Sequence, residues 1–328
     1  MRVRRKRRLV RAARKSMELQ VFQDCTPSIK PRDILLTCTM RNECVRLPYF
    51  LQYYRDLGVN HFLFVDNDST DGTLEYLSGM RDVSVWTTKA SYKKSTFGVD
   101  WVNWLNRKYA HGHWTLVVDP DEFFIYPFCD TRPIPALTDW LDNSSIRSFS
   151  AMLLDVYPKG PIDAQPYTPG QNPMEIASWF DSGNYAIKKN PLYGNLWIQG
   201  GPRARVFFAD QPAKAPALNK IPLVKWHRKF TYVSSTHMLL PRGLNQVYEE
   251  WGGEKASGIL LHAKFLDTFG AKAEEELQRR QHYAGSAEYR AYAETMEKSP
   301  DLWCKWSEKY INWRQLEILG LMSKGNWA

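Results

Sequence analysis

The sequence has few cysteines and no long run of apolar residues. Five cysteines occur in 328 residues, and no two of them have C-x-x-C spacing. This odd number predicts neither a disulfide framework nor a thiolate zinc site, and it fits a reducing compartment. Because no stretch of about 18 apolar residues is present, we expect no membrane-spanning helix.

The N-terminus lacks both acidic residues and the apolar segment of a secretory signal. Residues 1–15 hold nine Lys and Arg, and removing these from the total of 44 leaves 35, which equals the 35 Asp and Glu. The remainder of the chain is therefore neutral overall, so we expect no basic face and no nucleic-acid partner. The expected location is cytoplasmic.

Residues 1–30 are predicted to be a basic tail. The segment 2–20 has the spacing of an amphipathic helix. Through residues 1–20 it could contact the anionic inner face of the membrane, or the acidic surface of a partner protein. The alternative is a solvated, disordered tail, because blocks of like charge favour disorder.

From residue 33 onward, apolar runs alternate with segments of helical spacing. We predict strands at 34–39, 61–65, 83–86 and 114–118, and helices at 46–57, 71–77 and 99–109. This order predicts an α/β fold with a mostly parallel central sheet flanked by helices. Ligands of such sheets bind beyond the carboxyl ends of the strands.

The pattern is less regular after residue 130. We predict a helix at 134–141, a strand at 149–156, an irregular connection at 158–202, strands at 204–208, 231–240 and 258–265, and helices at 271–283, 286–298 and 305–322. The predicted organisation is a tail (1–30), a catalytic domain (31–270, dividing near residue 130) and a C-terminal helical segment (271–328).

Acidic clusters follow three of the predicted strands. Met40-Arg41-Asn42-Glu43 follows the first, Asp66-Asn67-Asp68-Ser69-Thr70-Asp71-Gly72 the second, and Asp119-Pro120-Asp121-Glu122 the strand at 114–118. Unpaired buried carboxylates are costly, so a cation or a basic partner should accompany them. Carboxylates with diphosphate oxygens suit Mg²⁺ or Mn²⁺.

These three segments, Thr39–Glu43, Val65–Thr73 and Val118–Phe123, together resemble glycosyltransferase family 2. They resemble more closely its bacterial family 2-like branch, which is related to the family 92 domain. Four later segments are also similar, Gly200–Arg203, Leu218–Trp226, Ser235–His237 and Leu261–Phe265, so the resemblance spans about residues 32–285. It implies a GT-A fold with a DxD metal motif and a nucleotide-diphospho-sugar donor.

The resemblance assigns roles to residues near the donor. It puts Thr39, Arg41 and Glu43 near the base and ribose, with Asp66 and Asp68 as hydrogen-bond acceptors. Helix capping is the alternative role for Asp68 and its neighbour Asp71.

The resemblance also implies a metal and diphosphate site. Asp119 and Asp121 match the DxD motif, with Asp121 the direct ligand of Mg²⁺ or Mn²⁺ and Glu122 a supporting acid. The strand alternation places His262 and Lys264 on one face, suited to metal and diphosphate. His237 is an alternative for the role of His262.

Other residues are candidates for phosphate binding and proton transfer. Arg203 follows two glycines and could hold phosphate, with Lys220 and Lys225 as weaker candidates. Inversion at the anomeric carbon requires a general base, and Asp181 is the candidate.

We therefore expect a metal-dependent, inverting glycosyltransferase that acts on a glycan or lipid-linked acceptor. Four aromatic residues could stack on sugar rings or belong to the core: Trp179, Trp197, Trp226 and Tyr232. Two alternatives remain: a nucleotidyltransferase that makes nucleotide-sugars, and a non-catalytic glycan- or membrane-binding protein. The first normally has a glycine-rich basic loop after its first strand, which this sequence lacks.

Overall fold

The structure, a computed structural model, describes residues 1–247, 255–279, 281, 287–296 and 300–327. Within these ranges the helices are α1 (Arg2–Lys15), α2 (Leu47–Asp56), α3 (Thr73–Leu77), α4 (Val99–Tyr109), α5 (Ile134–Asn143), α6 (Thr268–Arg279), α7 (Ala287–Met296) and α8 (Trp313–Ile318). The strands are β1 (Gln20–Gln23), β2 (Leu35–Met40), β3 (His61–Asp66), β4 (Val83–Thr87), β5 (Trp114–Val117), β6 (Glu122–Ile125), β7 (Ser148–Tyr157), β8 (Trp179–Asp181), β9 (Tyr185–Lys189), β10 (Leu196–Gly200), β11 (Asn219–Lys225), β12 (Thr231–Ser234), β13 (Met238–Leu240), β14 (Gly258–His262) and β15 (Ser307–Lys309).

One large sheet organises the chain, with the strand order β1-β4-β3-β2-β5-β11-β7-β14-β6. The pairings of β4, β3, β2 and β5 are parallel, and β7 and β14 run in the same direction. Six of these nine strands therefore share one direction, while β1, β11 and β6 oppose them. The predicted α/β class, with a mostly parallel central sheet flanked by helices, is confirmed.

Apolar residues cover both faces of the central strands. In β2 and β3, Leu36 and Phe64 belong to one hydrophobic cluster, and Leu35 and Leu63 belong to another on the opposite face. Alternate side chains of a strand point to opposite faces, so a continuous apolar run requires cover on both sides. Because β2, β3, β5 and β14 run in the same direction, the residues that follow them lie at one common edge of the sheet.

The first 30 residues are folded against the body, so the disordered-tail alternative is wrong. Helix α1 packs on α4, where Ala12 is fully buried and Arg11 Nε lies 2.7 Å from Asp100 Oδ2. Strand β1 pairs antiparallel with β4 as an edge strand. The sheet thus begins before the boundary predicted at residue 30.

Several elements of the second half differ from prediction. The expected strand at 204–208 is a π-helical turn, Arg203–Phe207, and the connection at 158–202 contains β8, β9 and β10. The expected helix at 305–322 is instead strand β15, paired with β8, followed by the short α8. The predicted helix ends at 283 and 298 lie outside the described residues. Local spacing could not reveal these elements because long-range strand pairing determines them.

Candidate functional site

A cavity of about 160 Å³ opens at the carboxyl edge of the sheet. Seven predicted site residues line it: Thr39, Arg41, Glu43, Asp119, Asp121, His262 and Lys264. They come from the ends of β2, β5 and β14, which meet at this edge because these strands are parallel.

Asp119 and Asp121 lie in the tight turn between β5 and β6. The Glu122 amide donates to the Asp119 carbonyl at 3.0 Å, and the Ala263 amide donates to the Asp121 carbonyl at 2.8 Å. The Asp119 side chain is 56% exposed, whereas that of Asp121 is 17% exposed. The turn therefore presents one exposed and one recessed carboxylate to the cavity.

His262 lies between two carboxylates. Its Nδ1 is 2.6 Å from Asp155 Oδ1, and its Nε2 is 3.4 Å from Asp121 Oδ2. The strand register explains this geometry, because His262 of β14 lies opposite Asp155 of β7. The hydrogen bond to Asp155 sets the ring orientation and aims Nε2 at Asp121, as carboxylates do for metal-binding histidines.

The charges around His262 shift the ionisation of both groups. Burial alone would lower the pKa of His262, but Asp121 and Asp155 raise it above its ordinary value. Burial would raise the pKa of Asp121, but His262, Arg46 and Lys272 hold it well below its ordinary range. Asp121 is therefore ionised at neutral pH, which is the form that binds a cation.

Arg203 lies behind His262 and does not line the cavity. Its Nε donates to Asp155 Oδ2 at 2.7 Å, and both side chains are buried. The phosphate-binding role predicted for Arg203 is therefore not supported by its position. Arg203, Asp155 and His262 instead form a chain of charged hydrogen bonds that ends at Asp121.

A second ion pair lies beneath the acidic turn. Lys220 Nζ is 2.6 Å from Glu122 Oε1 and 3.4 Å from Asp119 Oδ2. Burial raises the pKa of Glu122 to about 7 against the opposing charge of Lys220. The same pairing raises the pKa of Lys220 despite its burial. Lys220 thus compensates the carboxylates from inside the protein.

Replacing Lys220 with Met should destabilise the protein in a pH-dependent way. Without the cation, the pKa of Glu122 in the folded state should rise further above its ordinary value. A carboxyl group whose pKa is raised in the folded state lowers the stability of the protein as pH increases. The free energy of unfolding of Lys220→Met should therefore be lower than that of wild type by about 3 kcal/mol near pH 8.5, and by less near pH 6. Urea unfolding at both pH values measures it.

Lys225→Met is the matched control, because Lys225 forms an ion pair with Asp142 at the surface. We expect it to cost less than about 1 kcal/mol at either pH. Equal deficits for the two variants would contradict the role given to Lys220.

The residues after β2 are held by ion pairs with α6. Arg41 Nε lies 2.9 Å from Glu275 Oε1, and its NH1 donates to the Asn67 carbonyl at 2.9 Å. Glu43 accepts from Arg46 at 3.1 Å and from Lys272. Arg41 and Glu43 therefore connect the end of β2 to α6 as well as lining the cavity.

Asp66 and Asp68 are not among the residues that line the cavity. Asp66 is fully buried, and its Oδ1 accepts from the Ser69 amide at 3.1 Å, as a turn-capping residue does. Burial raises the pKa of Asp66. Asp68 lies 3.5 Å from Arg41 through its carboxylate. Their predicted contact with the nucleoside has no support in these positions.

Asp181, the predicted general base, also lies outside the cavity lining. Its carboxylate is buried and accepts from Arg205 at 3.0 and 3.1 Å and from the Tyr157 hydroxyl. These contacts make it a structural ion pair, and its position argues against the base assignment. Its strand, β8, pairs with β7 and β15, and Asp181 lies opposite Ser307 of β15.

His237 and Lys225, the alternative candidates for metal and phosphate binding, also lie outside the cavity lining. His237 Nδ1 is 2.6 Å from the Asn219 carbonyl, and burial lowers the pKa of His237 to about 4. It does not line the cavity, so its position favours His262 as the ligand. Lys225 pairs with Asp142 instead of facing a phosphate.

The four aromatic candidates divide between core and partly exposed positions. Trp226 and Tyr232 are fully buried, and their rings contact each other in a tilted arrangement with centroids 5.5 Å apart, so they are core residues. Trp179 and Trp197 are half-buried, but neither lines the cavity.

Helix α6 covers the cavity and supplies residues that sequence reasoning missed. One face of α6 lines the cavity with Phe269, Lys272, Glu276 and Arg279. Their spacing of three, four and three residues is helical, which was the available signal. Arg46, Asn67 and Tyr92 were missed as well. Asp155 was detectable as the one charged residue of β7.

The side chains that could act as metal ligands form only part of a divalent-cation site. Among the described residues, no three His, Cys, Asp or Glu side chains converge as a complete metal site. Asp121 and, in the neutral form of the imidazole, His262 Nε2 nevertheless supply two adjacent donors, with the exposed Asp119 nearby. Mg²⁺ and Mn²⁺ commonly bind through one or two protein ligands plus phosphates and waters. The residues fit such a shared site.

Comparison with known proteins adds little to this geometry. No protein-family model and no curated protein matches the chain. One similar solved structure is a UTP-bound UGPase from Acinetobacter baumannii, with 10% identity, a TM-score of 0.29, and coverage of 82% of this chain and 84% of that chain. Another is named as a glucose-1-phosphate thymidylyltransferase from Bacillus anthracis in complex with a sucrose, with 7% identity, a TM-score of 0.30, and coverage of 90% and 97%. At these TM-scores neither likeness supports a conclusion about activity.

Proposed function

We propose that this protein is a metal-dependent glycosyltransferase of the GT-A type that uses a nucleotide-diphospho-sugar donor. The observation that carries the proposal is the Asp121–His262 pair in the cavity, oriented by Asp155 and Arg203. It stands beside the exposed Asp119 at the carboxyl edge of the sheet. Mn²⁺ or Mg²⁺ bound there would stabilise the negative charge of the diphosphate leaving group.

The charges of the cavity wall support a diphosphate ligand. Five Lys and Arg line the cavity, against four Asp and Glu. Lys264 and Lys272 are the cations that we assign to the diphosphate, because they lie with His262 around the same opening. Fixed cations of this kind stabilise charge that develops as the leaving group departs.

We assign the nucleoside to the end of the cavity formed by Thr39, Asn67 and Tyr92. Tyr92 lines this end of the cavity with an uncharged side chain. Asn67 is itself fixed by bonds to the Thr88 and Ala90 carbonyls at 3.0 and 3.1 Å. A rigid polar wall of this kind favours selective binding.

Nucleotidyl transfer to a sugar phosphate is the second candidate. The excess of cations in the cavity would suit a triphosphate as well as a diphosphate. Against it, the segment Arg41-Asn42-Glu43 after β2 contains no glycine-rich phosphate loop. The two reactions release different products, which makes them separable.

A screen with the full chain tests both candidates. Nucleotide-sugars and nucleoside triphosphates are compared in thermal shift, with Mn²⁺, with Mg²⁺ and with chelator. A donor at about 100 times its Kd should raise the Tm by about 2 °C or more, and only with metal. The donor that binds is then assayed for nucleoside diphosphate release with glycan and lipid-linked acceptors.

The outcomes are distinct. Metal-dependent release of nucleoside diphosphate supports glycosyl transfer, whereas pyrophosphate exchange with a triphosphate supports the second candidate. Binding without either reaction would support a non-catalytic glycan-binding protein. No shift with any nucleotide-sugar would overturn the proposal.

A further inference from the structure

One face of α1 attaches the helix to the body of the protein. Ala12 is fully buried and Leu9 is half-buried there. Arg11 Nε forms its ion pair with Asp100, and Lys15 Nζ lies 2.5 Å from Glu18. These contacts fix which side of α1 faces away from the protein.

The opposite face carries an exposed apolar stripe. Val3, Val10 and Met17 are 63%, 51% and 81% exposed. Val3 and Val10 are seven residues apart, and at 100° per residue they lie within about 20° of the direction opposite Ala12. Met17 follows seven residues later, in the 3-10 turn Ser16–Glu18 that continues from α1. Two more exposed apolar residues, Val21 and Phe22, follow in β1.

Basic residues flank this stripe. Five exposed cations lie on the outer half of the helix or beside it: Arg2, Arg4, Lys6, Arg7 and Arg14. The first acidic residue of the chain is Glu18, which is engaged by Lys15 and by the indole of Trp101. The outer face of α1 therefore combines a narrow apolar stripe with basic side chains, and α1 contains no acidic residue.

We propose that the outer face of α1 binds an anionic lipid bilayer. A helix that lies in the interface buries its apolar face below the headgroups, and its Lys and Arg contact the lipid phosphates. Val3, Val10 and Met17 enter the interface, while Arg7 and Arg14 remain at headgroup level. Among the described residues no helix is long and apolar enough to cross the bilayer, so this attachment is peripheral.

The apolar stripe selects lipid over other polyanions. A nucleic acid would engage the cations through its phosphates, but it offers no apolar phase for Val10 and Met17. The rest of the chain is also neutral in net charge. A bilayer satisfies both the charge and the exposed apolar area.

Helix α1 contacts a segment of the chain that also lines the cavity. Arg11 NH2 donates to the Lys94 carbonyl at 2.7 Å, and Tyr92 of the same segment lines the cavity. Membrane attachment would therefore bring a lipid-linked acceptor near the site. That consequence rests on the proposed function, but lipid binding itself does not.

Vesicle sedimentation of the full chain tests the proposal without any substrate. Vesicles of phosphatidylcholine alone are compared with vesicles that also contain phosphatidylglycerol. We expect binding only to the anionic vesicles, weakened as salt rises toward about 0.15 M. Arg7→Glu with Arg14→Glu should reduce the partition coefficient by more than about 30-fold. Val10→Ser with Met17→Ser should reduce it about tenfold.

Lys188→Glu with Lys214→Glu is the matched control, since both lysines are exposed and lie elsewhere. It makes the same change in net charge and should leave vesicle binding within about twofold of wild type. Circular dichroism verifies that each variant is folded. Unchanged vesicle binding by both α1 variants would overturn the proposal. Binding to a DNA duplex that survives Val10→Ser with Met17→Ser, without vesicle binding, would overturn it in favour of nucleic acid.

Discussion

Asp121→Asn should lower turnover with the nucleotide-sugar donor on the order of 10²- to 10³-fold. The side chain keeps its shape, but the cavity loses the carboxylate that lies 3.4 Å from His262 Nε2. The burial and charges around Asp121 keep the wild-type carboxylate ionised, so the substitution removes a full negative charge. Metal-dependent thermal shift with the donor should disappear together with turnover.

The fold should survive this change because Asp121 lies in a turn between β5 and β6. Asp142→Asn is the matched control, since Asp142 is an acid on α5 that pairs with Lys225 away from the cavity. It should retain wild-type turnover and metal response. Near-normal activity of Asp121→Asn in chelator would show that the acidic turn does not hold a metal.

Asp155→Asn should have the largest effect on stability. This carboxylate accepts from Arg203 at 2.7 Å and from His262 at 2.6 Å. The Arg203 and Asp155 side chains are only 5% and 1% exposed. Removing one partner of a buried ion pair leaves the other charge uncompensated, so we expect a loss of about 3–5 kcal/mol in urea unfolding at neutral pH.

The pH dependence of this loss has a defined sign. Burial would raise the pKa of Asp155, but Arg203 and His262 lower it below its ordinary value. A depressed acid pKa contributes stability above the unfolded value near 3.9, and this contribution is lost as pH falls through the folded pKa. The difference between Asp155→Asn and wild type should therefore narrow below about pH 4.

Asp130→Asn provides the exposed counterpart. Asp130 and Arg314 lie 2.6 Å apart, but their side chains are 40% and 51% exposed. Solvent screens such a pair, so its loss should cost no more than about 1 kcal/mol. If the two substitutions cost the same, the buried chain from Arg203 to Asp121 does not have the role that we assign to it.

Asp155 also orients His262, so its substitution should affect metal binding. Asp155→Asn should reduce metal affinity roughly 10- to 100-fold, because residues that orient a metal-binding histidine typically contribute this much. Loss of stability with unchanged metal response would make Asp155 a purely structural residue. Measuring both stability and metal affinity therefore distinguishes a residue that only stabilises the fold from one that also orients His262.

Local sequence patterns determined the framework of the site. The apolar runs in β2, β3 and β5 are continuous because both faces of these strands are buried, and such runs are visible without a structure. Acidic residues directly after a run mark the strand ends, which predicted the position of Asp119 and Asp121. His262 and Lys264 both line the cavity, although β14 ends at His262, so strand alternation does not by itself place Lys264 there.

Contacts between distant parts of the chain decided the rest. Asp155 meets His262 across 107 positions through the register of β7 and β14, and no local pattern encodes a register. Asp181 was predicted as the general base and Arg203 as a phosphate-binding residue from their neighbours in sequence. Tertiary packing instead pairs Asp181 with the half-buried Arg205 and Arg203 with the buried Asp155.

The basic N-terminus illustrates the same division. Its sequence determined a cationic, amphipathic segment, since charge and helical spacing are properties of consecutive residues. Only the tertiary structure decided that Ala12 faces α4 and that Val3, Val10 and Met17 face away. Likewise, the spacing of α6 predicted a helix, but its ion pairs with Arg41 and Glu43 decided that it covers the cavity. Pairs of side chains that are this far apart in sequence meet only in the complete fold, so the sequence patterns alone could not predict them.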